Sequence, residues 1–191
     1  MPNCDAGLVS VLMSVYNGAP TLEKAAASVL AQTYRDLELI LCDDASTDDT
    51  WSIMQRIAAQ DARVTIFQNK TNLGLGASLN ECLARAQGAY IARQDADDVS
   101  DSDRIERTMD FLLSSGAPYA ACGVRVFDDT GVWSTRQFPQ KITKHIIAQK
   151  TPFFPPTMLF RRAVLESVTD CVSAQLIPRC GNDCSLVILL S

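Results

Sequence analysis

The stretch QDADDVS, residues 94–100, places Asp95, Asp97 and Asp98 within four positions. Carboxylates this close repel and raise one another's pKa, which costs stability unless a cation or hydrogen-bond donors offset it. Two chemistries fit. The plain one is a solvated acidic turn that caps the next helix. The other is a divalent-metal site. Alternate residues of an extended segment face the same way, so Asp95 and Asp97 can converge while the small Ala96 faces away. Hard oxygen donors in that number suit Mg2+ or Mn2+ shared with the phosphates of a substrate. A second acidic pair, Asp43-Asp44, precedes Ala45-Ser46. Ser46 and Asp49 already form a capping-box pattern for the helix that follows, so two further carboxylates are not needed for capping. A carboxylate there could accept hydrogen bonds from a nucleobase imide or a ribose hydroxyl.

The elements that must position these residues alternate in period. Residues 8–15 form a continuous apolar run with β-branched residues, the mark of a strand buried on both faces, and 37–44, 64–69 and 89–94 read as three further strands. Between them, Leu22, Ala25, Ala26, Val29 and Leu30 form one helical face, opened by Pro20. Trp51, Met54 and Ala58 form a second, and Leu75, Leu79, Cys82, Leu83 and Ala86 a third. A fourth helix follows the acidic stretch, with Ser100 and Asp103 as caps and Ile105, Met109, Leu112 and Leu113 inward. Such alternation predicts βαβ units: an α/β fold with a mostly parallel sheet flanked by helices. In open sheets of this kind the ligand crevice lies at the carboxyl ends of the strands. Those ends carry SVYNG, CDDAS, NKTNLG and QDADD, all polar, which favours one shared site over several unrelated turns.

Composition narrows the classes. The chain has 191 residues, 47% hydrophobic and 20% charged, with a net charge of −5. One domain with a sizeable core is expected over 1–191, with no linker and no repeat. The acidic balance argues against a nucleic-acid surface. No apolar run is long enough to span a bilayer, the longest candidate being LVILL at 186–190, and no basic stretch precedes the first apolar run as a secretory signal would require. The seven cysteines include no CxxC pair and His145 is the single histidine, so a zinc site is not expected. Cys42 and Cys82 fall in apolar patterns as small hydrophobes. A reducing, cytoplasmic setting follows as the expectation. Gly74-x-Gly76 lacks the third glycine of a dinucleotide fingerprint, Leu79 standing in its place, so these glycines are read as turning the chain into a helix.

Taken together, SVLMSVYNG, LELILCDDASTDDT, NKTNLGLGASLNECLARAQGAYIARQDADDVSDSDR and FPPTMLFRR resemble the family 2 glycosyltransferases of GT-A fold, in order and spacing over roughly residues 8–166. The resemblance implies a nucleotide-sugar-dependent, metal-dependent transferase that inverts the anomeric centre, with Mn2+ or Mg2+ as cofactor. It places Ser14 and Tyr16 against the nucleoside and Asp44 on the base, usually uracil. Asp95 and Asp97 become the DxD motif, Asp97 nearest the metal, with Asp98 and Arg104 supporting that loop and completing the nucleotide-sugar site. It implies a donor-binding part at about 8–115 and an acceptor-side part at about 116–191. The expected partners are a UDP-sugar donor and a glycan or lipid-linked acceptor. A lipid acceptor would allow peripheral contact at the inner face of the membrane, although the sequence shows no basic amphipathic helix. A nucleotidyltransferase is the rival class, but SVYNGAPT lacks the basic phosphate loop it would want.

The tail 168–191 departs from the pattern. The family's ED-x-x-L-x-x-R-L appears as Asn182-Asp183-Cys184-Ser185-Leu186-Val187-Ile188-Leu189-Leu190, which keeps the Asp but not the Glu or the Arg. Asp183 stands where the family's general base stands; its plain alternative is a cap on a short helix. The apolar SLVILL run needs a cover, and an irregular or truncated C-terminus is expected. The alternative to a working transferase is therefore a donor-binding remnant with impaired turnover.

Overall fold

Val9–Val15 (β1) is buried along its whole length and lies at the centre of the fold. The chain is described by a computed structural model at residues 7–128, 130–137 and 154–167, and in backbone alone at 187–190. After β1 come α1 (Leu22–Leu30), β2 (Leu37–Asp43), α2 (Thr50–Gln60), β3 (Val64–Gln68), α3 (Leu75–Arg85) and β4 (Tyr90–Arg93). The acidic stretch leads into β5 (Val99–Ser100), then α4 (Arg104–Ser115), β6 (Tyr119–Ala121), β7 (Gly123–Asp128) and β8 (Gly131–Arg136). A 3-10 turn at Pro155–Thr157 precedes β9 (Met158–Arg161), α5 (Arg162–Ser167) and β10 (Val187–Leu190).

Six strands form the main sheet in the order β3-β2-β1-β4-β9-β6. The first four run parallel, and β9 is antiparallel to both β4 and β6. A second sheet has the order β5-β10-β7-β8. The period of two along β1 explains the layers. Val9, Val11 and Met13 face Leu22, Ala25, Ala26 and Val29 of α1, Ile53, Met54 and Ile57 of α2, and Ile105, Met109 and Leu112 of α4. Leu12 faces the other way and joins Ile40, Cys42 and Ile91 beneath Leu79 and Cys82 of α3. A sheet with helices on both faces is the expected α/β arrangement.

Three local expectations differ. The buried stripe of α2 is Thr50, Ile53, Met54 and Ile57, an i, i+3, i+4, i+7 face turned to the core, with Trp51 half-buried at its margin. No capping box forms there. The Ser46 hydroxyl instead accepts the Asn17 N–H from across the loop, while Asp48 accepts the Thr50 N–H. At α4 the Ser100 hydroxyl points to Gln94, and the Ile105 N–H is taken by Gln32 Oε1 at 2.9 Å. The first turn of α4 is thus capped from the segment that follows α1, a tertiary substitute for a local cap. Residues 187–190 form a strand, parallel to β5 and antiparallel to β7.

Gly88, which leads into β4, is pressed against β1. A Cβ there would meet the Leu8 carbonyl oxygen at 2.5 Å and the Ser10 nitrogen at 2.7 Å. Both are backbone atoms at the entry to β1, where the chain has little room to shift. Gly88→Ala is therefore expected to lower stability by about 1–3 kcal/mol, as overpacking does. Denaturant unfolding followed by circular dichroism measures it, and an unchanged midpoint would mean the strand yields.

Candidate functional site

The carboxyl ends of β2, β1 and β4 lie side by side, so their loops share one edge of the sheet. Parallel pairing sets Val15 opposite Asp43, and Leu12 opposite Arg93. Ser14 is buried near the end of β1, and Tyr16, the next-but-one residue, is 51% exposed. Asn17 then adopts φ 53° and Ala45 φ 62°, both left-handed. For alanine that conformation costs about 1–2 kcal/mol. It turns the chain so that the Ser46 N–H reaches Asp43 Oδ1 at 3.0 Å.

Three backbone donors of the β1–α1 loop are already engaged. The N–H groups of Asn17, Gly18 and Ala19 donate to Ser46 Oγ, Thr50 Oγ1 and Asp48 Oδ2. A phosphate-cradling loop works by presenting such N–H groups to its ligand. Here the STDDT segment consumes all three, so the nucleotidyltransferase alternative lacks its main device.

Asp44 sits at the end of β2, 2% exposed. Its Oδ1 accepts the Asn69 side-chain amide and the Leu73 N–H, each at 2.8 Å, and its Oδ2 accepts the Gly74 N–H at 2.8 Å. Burial alone would push this carboxyl up. The hydrogen bonds from Asn69, Leu73, Ser78 and Gly74 outweigh it and hold the pKa below the ordinary carboxylate value. Asp44 therefore fastens the loop between β3 and α3, where Gly74 takes φ 82°. Asp43 is also engaged, accepting from Ser46 and from the Gln68 side chain.

At the end of β4, ligand oxygens of Asp95, Asp97 and Asp98 all lie within 4.8 Å of one another. Asp98 is buried, Asp95 half-buried and Asp97 exposed. Arg93 grips Asp95 with two bonds, Nε to Oδ1 at 2.8 Å and an Nη to Oδ2 at 3.1 Å. Burial pushes the Asp95 carboxyl above its ordinary range; Arg93 opposes this and the neighbouring Asp97 adds to it. Three converging carboxyls, one of them uncomfortable as an anion, are a donor set that fits a hard divalent cation.

Arg104, in the first turn of α4, is 2% exposed and donates to the carbonyls of Pro156 at 3.1 Å and Arg93 at 3.4 Å. Burial lowers its pKa, with Asp98 acting against that shift. It thus links the end of β4, just before the acidic loop, to the FPPT segment. Asp183 lies outside the described residues. Sequence reasoning passed over Gln94, which is fully buried and bonded to the backbone of the acidic loop, and Gln32, which caps α4. The available signal was a glutamine inside or beside an apolar run.

The sequence model of the family described as "Glycosyl transferase family 2" matches residues 10–169. The chain is 43% identical over 162 residues to the putative glycosyltransferase EpsE of Bacillus subtilis (strain 168), covering 84% of this chain and 58% of that protein. It is 34% identical over 131 residues to the UDP-Glc:alpha-D-GlcNAc-diphosphoundecaprenol beta-1,3-glucosyltransferase WfaP of Escherichia coli, covering 67% and 51%. The chain spans about half the length of the curated relatives it matches. Among solved structures, S. aureus TarS 1-349 in complex with UDP superposes with a TM-score of 0.69 at 22% identity, over 87% of this chain and 52% of that one. The mannosyltransferase PcManGT from Pyrobaculum calidifontis, in complex with GDP-Man and Mn2+, gives 0.66 at 22%, over 85% and 46%. The likeness to these structures is one of fold. Among the described residues no helix is long and apolar enough to cross a membrane.

Proposed function

The chain belongs to glycosyl transferase family 2 and has the GT-A fold, and from that premise we propose that it transfers a sugar from a UDP-sugar to a hydroxyl of a glycan or lipid-linked saccharide, with inversion. The observation that carries the reading is the convergence of Asp95, Asp97 and Asp98 after β4, on the sheet edge where Asp44 follows β2, with β1 between the two strands. The names of relatives support the donor and acceptor classes: WfaP is named for UDP-Glc and a diphosphoundecaprenol-linked sugar.

In this reading Asp97 and Asp95 hold a divalent cation, Mn2+ or Mg2+. When bound, the cation supplies positive charge against the diphosphate that leaves. Ser14 and Tyr16 lie against the nucleoside. Asp44 accepts the uracil imide N–H, sharing its carboxylate with the loop amides that already use it. Asp98 and Arg104 support the acidic loop from within. The acceptor oxygen attacks the anomeric carbon as the bond from that carbon to the β-phosphate oxygen breaks. A single displacement of this kind inverts the centre, and UDP departs with the electron pair. The acceptor's proton goes to a carboxylate, and the resemblance assigns that base to Asp183.

A second reading, donor binding with impaired turnover, is favoured by Asn182 and Leu189, which replace the Glu and Arg of the family pattern. Transfer or hydrolysis of a panel of UDP-sugars, with Mn2+ and with chelator, tests the first reading against it. Asp183→Asn is expected to lower the transfer rate by about 100–10,000-fold, the usual contribution of a general base. Steady turnover that this substitution leaves unchanged would remove Asp183 from the mechanism. Tight donor binding with no turnover in the parent chain would favour the second reading.

A further inference from the structure

Residue 94 is where a buried strand hands over to the acidic loop, and its side chain is completely buried. If packing alone mattered there, an apolar residue would serve, because a buried amide costs stability unless its polar atoms are satisfied. Gln94 satisfies them in a particular way. Its Nε2 donates to the carbonyl oxygens of Asp98 at 3.0 Å and Asp95 at 3.2 Å. Its Oε1 accepts the Ser100 hydroxyl at 2.6 Å. Its own N–H donates to the Leu12 carbonyl of β1 at 3.0 Å. Ser100 is fixed in turn, its N–H donating to Ser28 Oγ of α1 at 3.0 Å. One side chain therefore ties together the start of the loop, its end and its exit, and anchors them to β1 and α1.

We propose that Gln94 is a positioning residue that sets the spacing of the acidic loop and thereby its affinity for a divalent cation, a proposal that rests on the metal reading of Asp95 and Asp97. The physical need is plain. The carboxyl oxygens stand within 4.8 Å of one another and repel. A loop free to spread would relieve that repulsion and lose the convergence a cation requires. By drawing the carbonyls of Asp95 and Asp98 inward, Gln94 resists the spreading, and the Asp98 N–H to Asp95 carbonyl bond closes the turn. Groups that hold ligands in place without touching the ion typically govern metal affinity by about 10–100-fold.

The test is calorimetric titration of the full chain with Mn2+, for the parent, Gln94→Met and Ser100→Ala. UDP affinity in excess chelator and the metal-free unfolding midpoint are measured beside it. Methionine matches glutamine in length and removes its polar atoms. The expected result is Mn2+ affinity about tenfold weaker in Gln94→Met, a smaller loss in Ser100→Ala, and UDP affinity in chelator unchanged in both. Equal Mn2+ affinity in parent and Gln94→Met overturns the positioning role, whatever happens to the unfolding midpoint. A parent chain that binds no Mn2+ overturns the metal reading and this proposal with it. If Gln94→Met does not fold, Ser100→Ala decides, and unchanged Mn2+ affinity there overturns the role.

Discussion

Asp97→Asn is expected to abolish most of the gain in UDP affinity that Mn2+ brings, by more than about 100-fold, beyond what loss of an outer supporting group causes. The expectation follows from placement. Asp97 is the member of the acidic cluster open to solvent, while Asp95 is already gripped by Arg93 and Asp98 is buried. An amide keeps the size and removes the charge, so the fold is left alone. The unfolding midpoint without metal should stay within about 0.5 kcal/mol of the parent, as for most surface changes. Fluorescence or calorimetric titration with UDP, in Mn2+ and in chelator, separates the two conditions. A parent chain that binds UDP equally well in both would remove the cation from this site.

Asp44→Ala is expected to act twice. Its carboxylate accepts hydrogen bonds from Asn69, Leu73 and Gly74, and truncation leaves these donors without it. Hydrogen bonds to a charged group contribute about 1.5–3 kcal/mol each, less what water recovers, so a total loss of about 2–4 kcal/mol is expected. The pH dependence has a definite sign. The folded pKa of Asp44 is depressed below the ordinary value, so the stability it supplies is present above about pH 4 and fades as pH falls through the lower folded value. The gap between parent and variant should therefore be full at neutral pH and narrow in acid. The second effect concerns the base: UDP should weaken more than pyrophosphate, because only UDP carries the imide N–H. Equal weakening of both ligands would confine Asp44 to holding the β3–α3 loop.

The alternation of strands and helices up to α4 was legible because each element repeats its own period over at least one full turn or pleat. Val9–Val15 and Leu37–Asp43 are largely apolar runs, and Leu22, Ala25, Ala26 and Val29 keep a helical spacing. The caps were not legible, because their partners lie far along the chain. Gln32 and Ile105 meet only once α1 and α4 have packed, and Ser46 is drawn away from its helix by Asn17. Nor does the sequence announce that β9 enters the sheet antiparallel, between β4 and β6, since four residues with only Leu159 fully buried carry no sign of direction. The acidic cluster could be read directly, for it is local. What surrounds it could not: Arg93 on Asp95 and Gln94 beneath the loop depend on where a strand ends and which way its last side chains turn.

The place of β9 also has a consequence for how the chain must be made. β4 pairs with β1 on one side, and its other side is filled only when Met158–Arg161 arrives, long after Tyr90–Arg93 has left the ribosome. Until then β4 presents an open, apolar edge, with β6 unable to dock because it touches the sheet only through β9. Long-range pairing of this kind is slow, and an unpaired edge invites pairing with a second nascent chain. Arg161 and Arg162 help make the arrival final, as they bond to carbonyls at the ends of α4 and α3 together with those of Ala117 and Gly88. The FPPTMLFRR segment is thus the clasp of the nascent fold, and a chain halted before it should collect in aggregates while the finished one stays in solution.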